Sequence, residues 1–142
     1  MIRYALDTSV LLHWFAQTND ADTERALRLR QEHLDESIEL VVLDQSIYEL
    51  LHVLKESLRL DCELVATALD SLEFMHITIV PYSHEIARKA AKIAYEHDIS
   101  IYAAGAVALS AHLRCQMVTG DELIYRKVST LPWTILLSNL SL

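Results

Sequence analysis

The chain has 142 residues and a mass of 16.2 kDa, enough for one domain and too short for two of ordinary size. Its hydrophobic content of 52% and mean hydropathy of +0.20 exclude a disordered chain. Only four residues are Gly or Pro, so sandwiches and propellers, which need many tight turns, are poor candidates. A net charge of −8 makes the surface repel phosphate unless cations or a local basic patch intervene.

Short apolar runs rich in Val, Ile and Thr predict five buried β-strands. They cover residues 2–6, 38–43, 77–80, 115–119 and 133–137. Longer stretches with helical periodicity predict helices over residues 18–36, 44–58, 61–74, 84–97, 101–113 and 122–128, and a further helix that starts near Thr8. Strands that alternate with helices imply a mostly parallel five-stranded sheet flanked by helices. Residues 1–142 are therefore expected to form a single α/β domain.

The sequence also predicts helix-capping residues and the state of the two cysteines. Ser83 and Ser100 are expected to cap the helices that follow them, and either Asp44 or Ser46 is expected to cap the helix over 44–58. The two cysteines, Cys62 and Cys115, have neither C-x-x-C nor zinc-site spacing, so we expect two buried free thiols in a reducing cytoplasm.

No segment of the sequence predicts export or membrane insertion. Residues 1–12 carry Arg3 and Asp7 and lack the long apolar run of a signal peptide. No apolar stretch reaches the ~18 residues that a membrane span requires. We therefore expect a cytoplasmic protein with no membrane partner.

Aspartates follow several of the predicted strands. Ligands of open α/β sheets bind at the carboxyl ends of the strands. This rule selects Asp7, Asp44 and the segment Thr119-Gly120-Asp121. Each aspartate can cap a following helix, and each can also offer oxygen ligands to a divalent cation. The presence of both Asp7 and Asp121 in one small sheet favours a shared cation.

The helix over residues 44–58 offers a third carboxylate. At 100° per residue, Glu49, His52 and Glu56 lie opposite the apolar stripe of this helix. The stripe consists of Ile47, Leu50, Leu51, Leu54 and Leu58. Glu49 stands early in the helix, near the edge of the sheet where ligands bind, and can reach a metal there. We expect His52 and Glu56 to be solvated.

Four segments, in this order and at these spacings, resemble a PIN domain. They are residues 4–12 (YALDTSVLL), 46–51 (SIYELL), 99–104 (ISIYAA) and 118–122 (VTGDE). The resemblance covers essentially the whole chain and is greatest to the small VapC-type toxins of toxin–antitoxin pairs. It implies an Mg²⁺- or Mn²⁺-dependent endoribonuclease with an RNA substrate and an antitoxin partner. Together with the apolar helix faces, it also leads us to expect a homodimer.

The resemblance implies which residues form the site. Asp7, Glu49 and Asp121 are the expected catalytic and metal-binding carboxylates. The expected supporting hydroxyls are those of Thr8, Ser9 and Thr119. The sequence departs from the family where an acidic residue usually follows the aromatic residue of the third segment, because Ala103 stands at that position. The loss of one carboxylate is expected to impair activity.

The chemistry of such a site needs several oxygen ligands around a hard cation, which activates a water molecule and neutralises charge on the phosphate under attack. Cations would also help so acidic a protein to hold RNA. Of the basic clusters in the sequence, Arg126 and Lys127 are the preferred candidates for contacts with the RNA backbone, because they follow Asp121 by one or two helical turns.

Three other interpretations were considered. A di-iron or di-manganese bundle would use the Glu-x-x-His spacings of residues 49–52 and 73–76, but His76 adjoins a predicted strand. A phosphoaspartate enzyme of the haloacid dehalogenase type would need Asp where Ser9 stands. A non-catalytic PIN-like module that binds RNA or protein is favoured by Ala103, whereas retention of the three carboxylates argues against it.

Overall fold

A parallel five-stranded sheet organises the chain in the computed structural model, which describes residues 1–16 and 20–142. The strand order is β3-β2-β1-β4-β5. The strands are β1 (Ile2–Leu6), β2 (Ile38–Leu43), β3 (Thr78–Val80), β4 (Gln116–Thr119) and β5 (Thr134–Leu136). All neighbouring pairs are parallel, and Leu6 lies beside Val118 at the carboxyl ends of the two central strands. The predicted fold class is confirmed.

Helices connect the strands close to the predicted positions. They are α1 (Thr8–Leu12), α2 (Ala21–Leu34), α3 (Asp44–Glu56), α4 (Cys62–Phe74), α5 (His84–His97), α6 (Ile101–Leu113) and α7 (Glu122–Val128), followed by a 3₁₀ turn at Leu137–Asn139. Thr18, the predicted start of the second helix, lies outside the described residues. Over the described ranges, no helix combines the length and apolar character needed to cross a membrane.

Serine caps confirm two of the predicted helix starts. Ser83 accepts a hydrogen bond from the backbone N–H of Ile86, and Ser100 accepts one from Ala103. The predicted cap of α3 is wrong for both candidates. Asp44 is the first helical residue and Ser46 is buried inside the helix, because the helix starts directly after β2 and Leu43 occupies the cap position.

The two faces of the sheet are covered differently. Leu50 and Leu54 of α3 and Leu72 of α4 belong to a large apolar core that also includes residues of β1 and β2. A second core contains alanines of α5 and α6 packed with residues of β1 and β2, and a third joins α6, β4 and α7. Helix α6 is buried continuously from Ala103 to Ser110, and its small side chains let it approach its neighbours closely. This close approach brings the start of α6 to the carboxyl edge of the sheet.

The prediction of two buried thiols is wrong for Cys62 and is met only in part by Cys115. Cys62 is exposed, while Cys115 is half-buried, and both are free thiols. Cys62 occupies the first position of α4, whereas the buried side chains of that helix, Ala68 and Leu72, lie further along. A position outside the apolar stripe explains the exposure.

The core of α3 gives a direct test of the packing. Leu50→Ala removes a fully buried side chain and should lower the free energy of unfolding by about 2–5 kcal/mol, because a cavity remains. Leu64→Ala makes the same deletion on α4 at a side chain that is 52% exposed, and should cost about 1 kcal/mol at most. Urea unfolding followed by circular dichroism measures both. Equal losses in the two variants would contradict the described core.

Candidate active site

A pocket of about 220 Å³ lies at the carboxyl edge of the sheet. The three predicted carboxylates, Asp7, Glu49 and Asp121, all line it. The predicted supporting residues Thr8 and Ser9 line it as well, and Ala103 forms part of its wall. The sheet brings these residues together, because β1 and β4 are adjacent parallel strands that end at the same edge, next to the first turns of α3 and α6.

Asp7 is held by two hydroxyl groups from different parts of the chain. Ser9 Oγ donates to Asp7 Oδ1 at 2.5 Å, and Thr119 Oγ1 donates to Asp7 Oδ2 at 2.5 Å. The two hydroxyls accept hydrogen bonds from the backbone N–H groups of Gly120 and Asp121, at 2.7 and 3.1 Å. This arrangement fixes Asp7 relative to the loop after β4. Asp7 also precedes α1, and the hydroxyl hydrogen bonds of Ser9 and Thr119 occupy one carboxylate oxygen each.

Burial raises the pKa of Asp7 from its ordinary value of 3.8 to about 6. The hydrogen bonds from Ser9 and Thr119 oppose this rise, and the negative charge of Asp121 adds to it. A buried carboxylate that repels a neighbouring carboxylate gains from a cation placed between them. The electrostatics of the pocket therefore favour a positively charged ligand.

Asp121 has two functions in the structure. Its Oδ1 accepts hydrogen bonds from the backbone N–H groups of Leu123 and Ile124, at 2.9 and 3.1 Å, and so caps α7. Its Oδ2 accepts no hydrogen bond from the described residues. Capping thus anchors one oxygen and leaves the other for the pocket.

Glu49 and Ala103 line the pocket on the side of α3 and α6. Glu49 is half-buried on α3 and makes no ion pair or hydrogen bond within residues 1–16 and 20–142. Ala103 is buried in the first turn of α6, where its methyl group adds no ligand oxygen. With the side chains placed as they are, the described part of the chain contains no group of three or more His, Cys, Asp or Glu residues close enough to hold one ion.

The chemistry of the pocket fits a hard divalent cation. Its donors are carboxylate and hydroxyl oxygens, which Mg²⁺ and Mn²⁺ prefer over softer ligands. Thr8 supplies an independent observation, because its Oγ1 is buried and has no hydrogen-bond partner among the residues that the structure describes. A buried hydroxyl without a partner is costly, and a bound ion or its water would satisfy it. The donor types therefore fit, and Ala103 supplies no oxygen at the position where the resemblance implies a further carboxylate.

The structure places Asp44 outside this pocket. Its Oδ1 accepts from the backbone N–H of Gln45, and its Oδ2 accepts from that of Tyr82. Asp44 therefore joins the end of β2 to the loop after β3. Its position at the carboxyl edge serves the fold.

The predicted RNA contacts Arg126 and Lys127 both have partners. Arg126 pairs with Glu122 at 2.7 Å, one turn earlier on α7. Lys127 donates to the backbone carbonyl of Asp98 at 2.9 Å and lies 3.6 Å from its carboxylate. The charge of each cation is therefore partly compensated by a neighbouring carboxylate.

Several residues of the pocket were not selected from the sequence. They are Leu12, Val53, Ser100, Tyr102 and Ile124. Ser100 and Tyr102 lie close to Ala103 in the sequence, and this proximity is the feature from which their place in the pocket could have been predicted. The other three are apolar residues of predicted helices, and periodicity does not show which residues of a helix border a pocket.

The fold and site define an α/β protein with carboxylates at the carboxyl edge of a parallel sheet. The PIN domain family model matches residues 4–129, and the chain belongs to this family. No curated protein sequence matches the chain.

Solved structures with the same fold are distant in sequence. A toxin–antitoxin complex from Klebsiella pneumoniae is 15% identical, with a TM-score of 0.67, covering 93% of this chain and 95% of that chain. VapC20 from Mycobacterium tuberculosis, a sarcin-ricin loop cleaving toxin, is 15% identical with a TM-score of 0.65, covering 87% and 93%. FitAcB from Neisseria gonorrhoeae is 17% identical with a TM-score of 0.66, covering 96% and 99%.

The buried carboxylate makes stability depend on pH. Because the pKa of Asp7 is raised, its contribution to folding is fully present below pH 3.8 and is lost as the pH rises through about 6. A rise from 3.8 to about 6 corresponds to about 3 kcal/mol. Between about pH 4 and pH 7, the free energy of unfolding of the chain should therefore fall relative to that of Asp7→Asn by about this amount. Urea unfolding in metal-free buffer measures the difference.

The matched control is Asp70→Asn, which changes an exposed aspartate on α4. Its unfolding free energy should follow that of the parent chain at every pH. If the curves of Asp7→Asn and the parent are parallel, Asp7 is not buried in its charged form as described.

Proposed function

We propose that this chain is an endoribonuclease scaffold of the VapC type whose activity is impaired by Ala103. The observation that carries the proposal is the pocket at the carboxyl edge of the sheet, which Asp7, Glu49 and Asp121 all line. Family membership and the toxin folds of the structural neighbours support it. The substrate class is RNA.

Asp7, Glu49 and Asp121 would hold Mg²⁺ or Mn²⁺. When bound, the cation supplies an activated water and neutralises charge on the phosphoryl oxygens. The residues of the chain prepare the site for this. Ser9 and Thr119 orient both oxygens of Asp7, and the cap at α7 fixes Asp121. Orientation before binding lowers the cost of assembling the ligands.

Ala103 explains why the proposed activity is impaired. A carboxylate at this position would stand in the wall of the same pocket as the other three. Without it, the cation loses an anionic ligand, and the remaining carboxylates repel one another less. The same residue supports a second candidate, a PIN-like module that binds RNA or protein without cleaving it.

The substitution Ala103→Asp tests the proposal. It should raise the affinity for Mn²⁺ at least tenfold and produce cleavage of single-stranded RNA, because it adds an anionic ligand at the pocket wall. Calorimetric titration with Mn²⁺ and gel assays of a labelled RNA measure the two effects. The matched control is Ala103→Asn, which has nearly the same shape and no charge, and which should improve neither.

The possible results separate the two candidates. If Ala103→Asp folds, binds Mn²⁺ no better than the parent and cleaves nothing, the nuclease proposal fails. RNA binding by the parent chain, measured by fluorescence polarisation, would then support the non-catalytic module.

An antitoxin and a second copy of the chain are the proposed protein partners. The Klebsiella structure is described as a toxin–antitoxin complex, and that relationship supports an antitoxin here. Its binding segment should be basic, because the pocket is lined by carboxylates and the chain carries a net charge of −8. We place the activity in the reducing cytoplasm, in keeping with two free thiols.

The proposed homodimer uses the edge of the sheet at β3. Ile79 of this edge strand is 47% exposed and borders an apolar cleft with Ile47 and Leu69. An exposed apolar edge strand tends to associate, and a two-fold axis would pair it with itself. The chain at micromolar concentration should sediment as a dimer of the 16.2 kDa subunit, and Ile79→Glu should sediment as a monomer.

Tyr95→Glu is the control for this experiment, since it adds the same charge at an exposed position on α5. It should leave the mass unchanged. A parent chain that sediments as a monomer would contradict the homodimer.

A further inference from the structure

The described residues that line the candidate active site include no cationic side chain that could contact RNA. Among the described residues that line the pocket, none is Lys or Arg. The cations of α7, Arg126 and Lys127, are engaged by Glu122 and Asp98. Protein–RNA contacts normally draw much of their affinity from phosphate. An RNA bound here therefore needs contacts of another kind as well.

Tyr102 is the aromatic residue placed to make such a contact. It lines the pocket and is 61% exposed, although the helix that follows it is buried from Ala103 onward. Its hydroxyl makes no hydrogen bond within the described residues. Ile124 of α7 lines the same pocket and adds a second apolar surface. An exposed aromatic ring at the border of a carboxylate pocket can stack on the apolar face of a nucleobase, while the charged RNA backbone lies beside it.

The backbone of Tyr102 is fixed by a contact between α3 and α6. Gln45 Nε2 donates to the carbonyl oxygen of Tyr102 at 3.1 Å. Gly105 leaves the space for this side chain, because a Cβ at that position would lie 2.3 Å from Gln45 Nε2 and 3.0 Å from Leu43 Cδ1. The first turn of α6 is thus tied to the first turn of α3, the helix that carries Glu49. A fixed backbone reduces the entropy lost when a ligand binds.

We propose that Tyr102 is a base-stacking residue that holds an unpaired nucleobase of the RNA while the adjoining phosphate lies at the carboxylate pocket. This inference rests on the proposed function. It adds a selectivity that the carboxylates do not supply, because a base within a duplex is already stacked on its neighbours and is not free to stack on Tyr102. Recognition should therefore favour unpaired RNA over duplex RNA.

The test measures RNA binding by the full chain at fixed salt and Mg²⁺ concentration. The probe is a single-stranded oligoribonucleotide that contains 2-aminopurine, whose fluorescence falls when the base stacks. Tyr102→Ala should weaken binding about 5- to 100-fold and abolish the fluorescence change. Tyr102→Phe retains the ring and should bind within about twofold of the parent. The matched control is Tyr95→Ala, which removes an exposed tyrosine from α5 and should have no effect.

A second arm uses Ala103→Asp, in which cleavage can be followed. There Tyr102→Ala should raise KM and leave kcat within about threefold, since stacking contributes to binding rather than to the chemical step. A fall in kcat with KM unchanged would overturn the stacking role. Sedimentation of each variant checks its assembly. If Tyr102→Ala changes the oligomeric state and binding is lost with it, Tyr102 belongs to a protein interface and the proposal fails.

The outcomes distinguish this inference from the proposed function. If the parent chain and Tyr102→Ala bind the probe equally, or if a duplex of the same sequence binds as well as the single strand, stacking on Tyr102 is wrong while the ribonuclease proposal stands. If neither the parent nor Ala103→Asp binds or cleaves RNA, the proposed function fails, and the stacking role fails with it.

Discussion

The buried carboxylate of Asp7 is the constraint on which the arrangement of the site depends. Its two oxygens accept hydrogen bonds from Ser9 and Thr119, residues separated by 110 positions in the chain. The raised pKa of Asp7 reflects the free-energy cost of burying its charged form. The burial of apolar side chains in the core must offset this cost. Burial of a charged carboxylate is typical of a ligand-binding site, because a bound cation would offset the free-energy cost of burying the charge.

Packing on the two faces of the sheet makes this arrangement possible. Leucines from α3 and α4 fill one side, while the alanine-rich helix α6 lies close against the other. Small side chains let the start of α6 reach the carboxyl edge, where Gln45 of α3 holds the carbonyl of Tyr102. The pocket is therefore bordered by elements whose relative positions are determined by the core. Ala103 fits this packing, since alanine suits a closely packed helix.

Much of the fold and of the site could be predicted from local patterns. The five strands were located to within one residue at each end, and the caps at Ser83 and Ser100 followed from side-chain chemistry. Both signals are carried by residues close together in the chain. The ends of the strands selected Asp7 and Asp121, helical geometry selected Glu49, and the resemblance to PIN domains implied the same three carboxylates, which line the pocket. Cys62 and the cap of α3 were predicted wrongly, because burial and helix starts depend on packing as well as on propensity.

By itself, the sequence determined the alternation of strands and helices, the family and the absence of a carboxylate at position 103. The tertiary structure alone decided which polar groups meet. It showed that Asp44 serves the fold, that Lys127 is bound to Asp98, and that Gln45 reaches Tyr102 over Gly105. Periodicity reports which face of an element is apolar. It does not report which side chain of another element lies opposite, because that depends on sheet order and on how closely the helices approach.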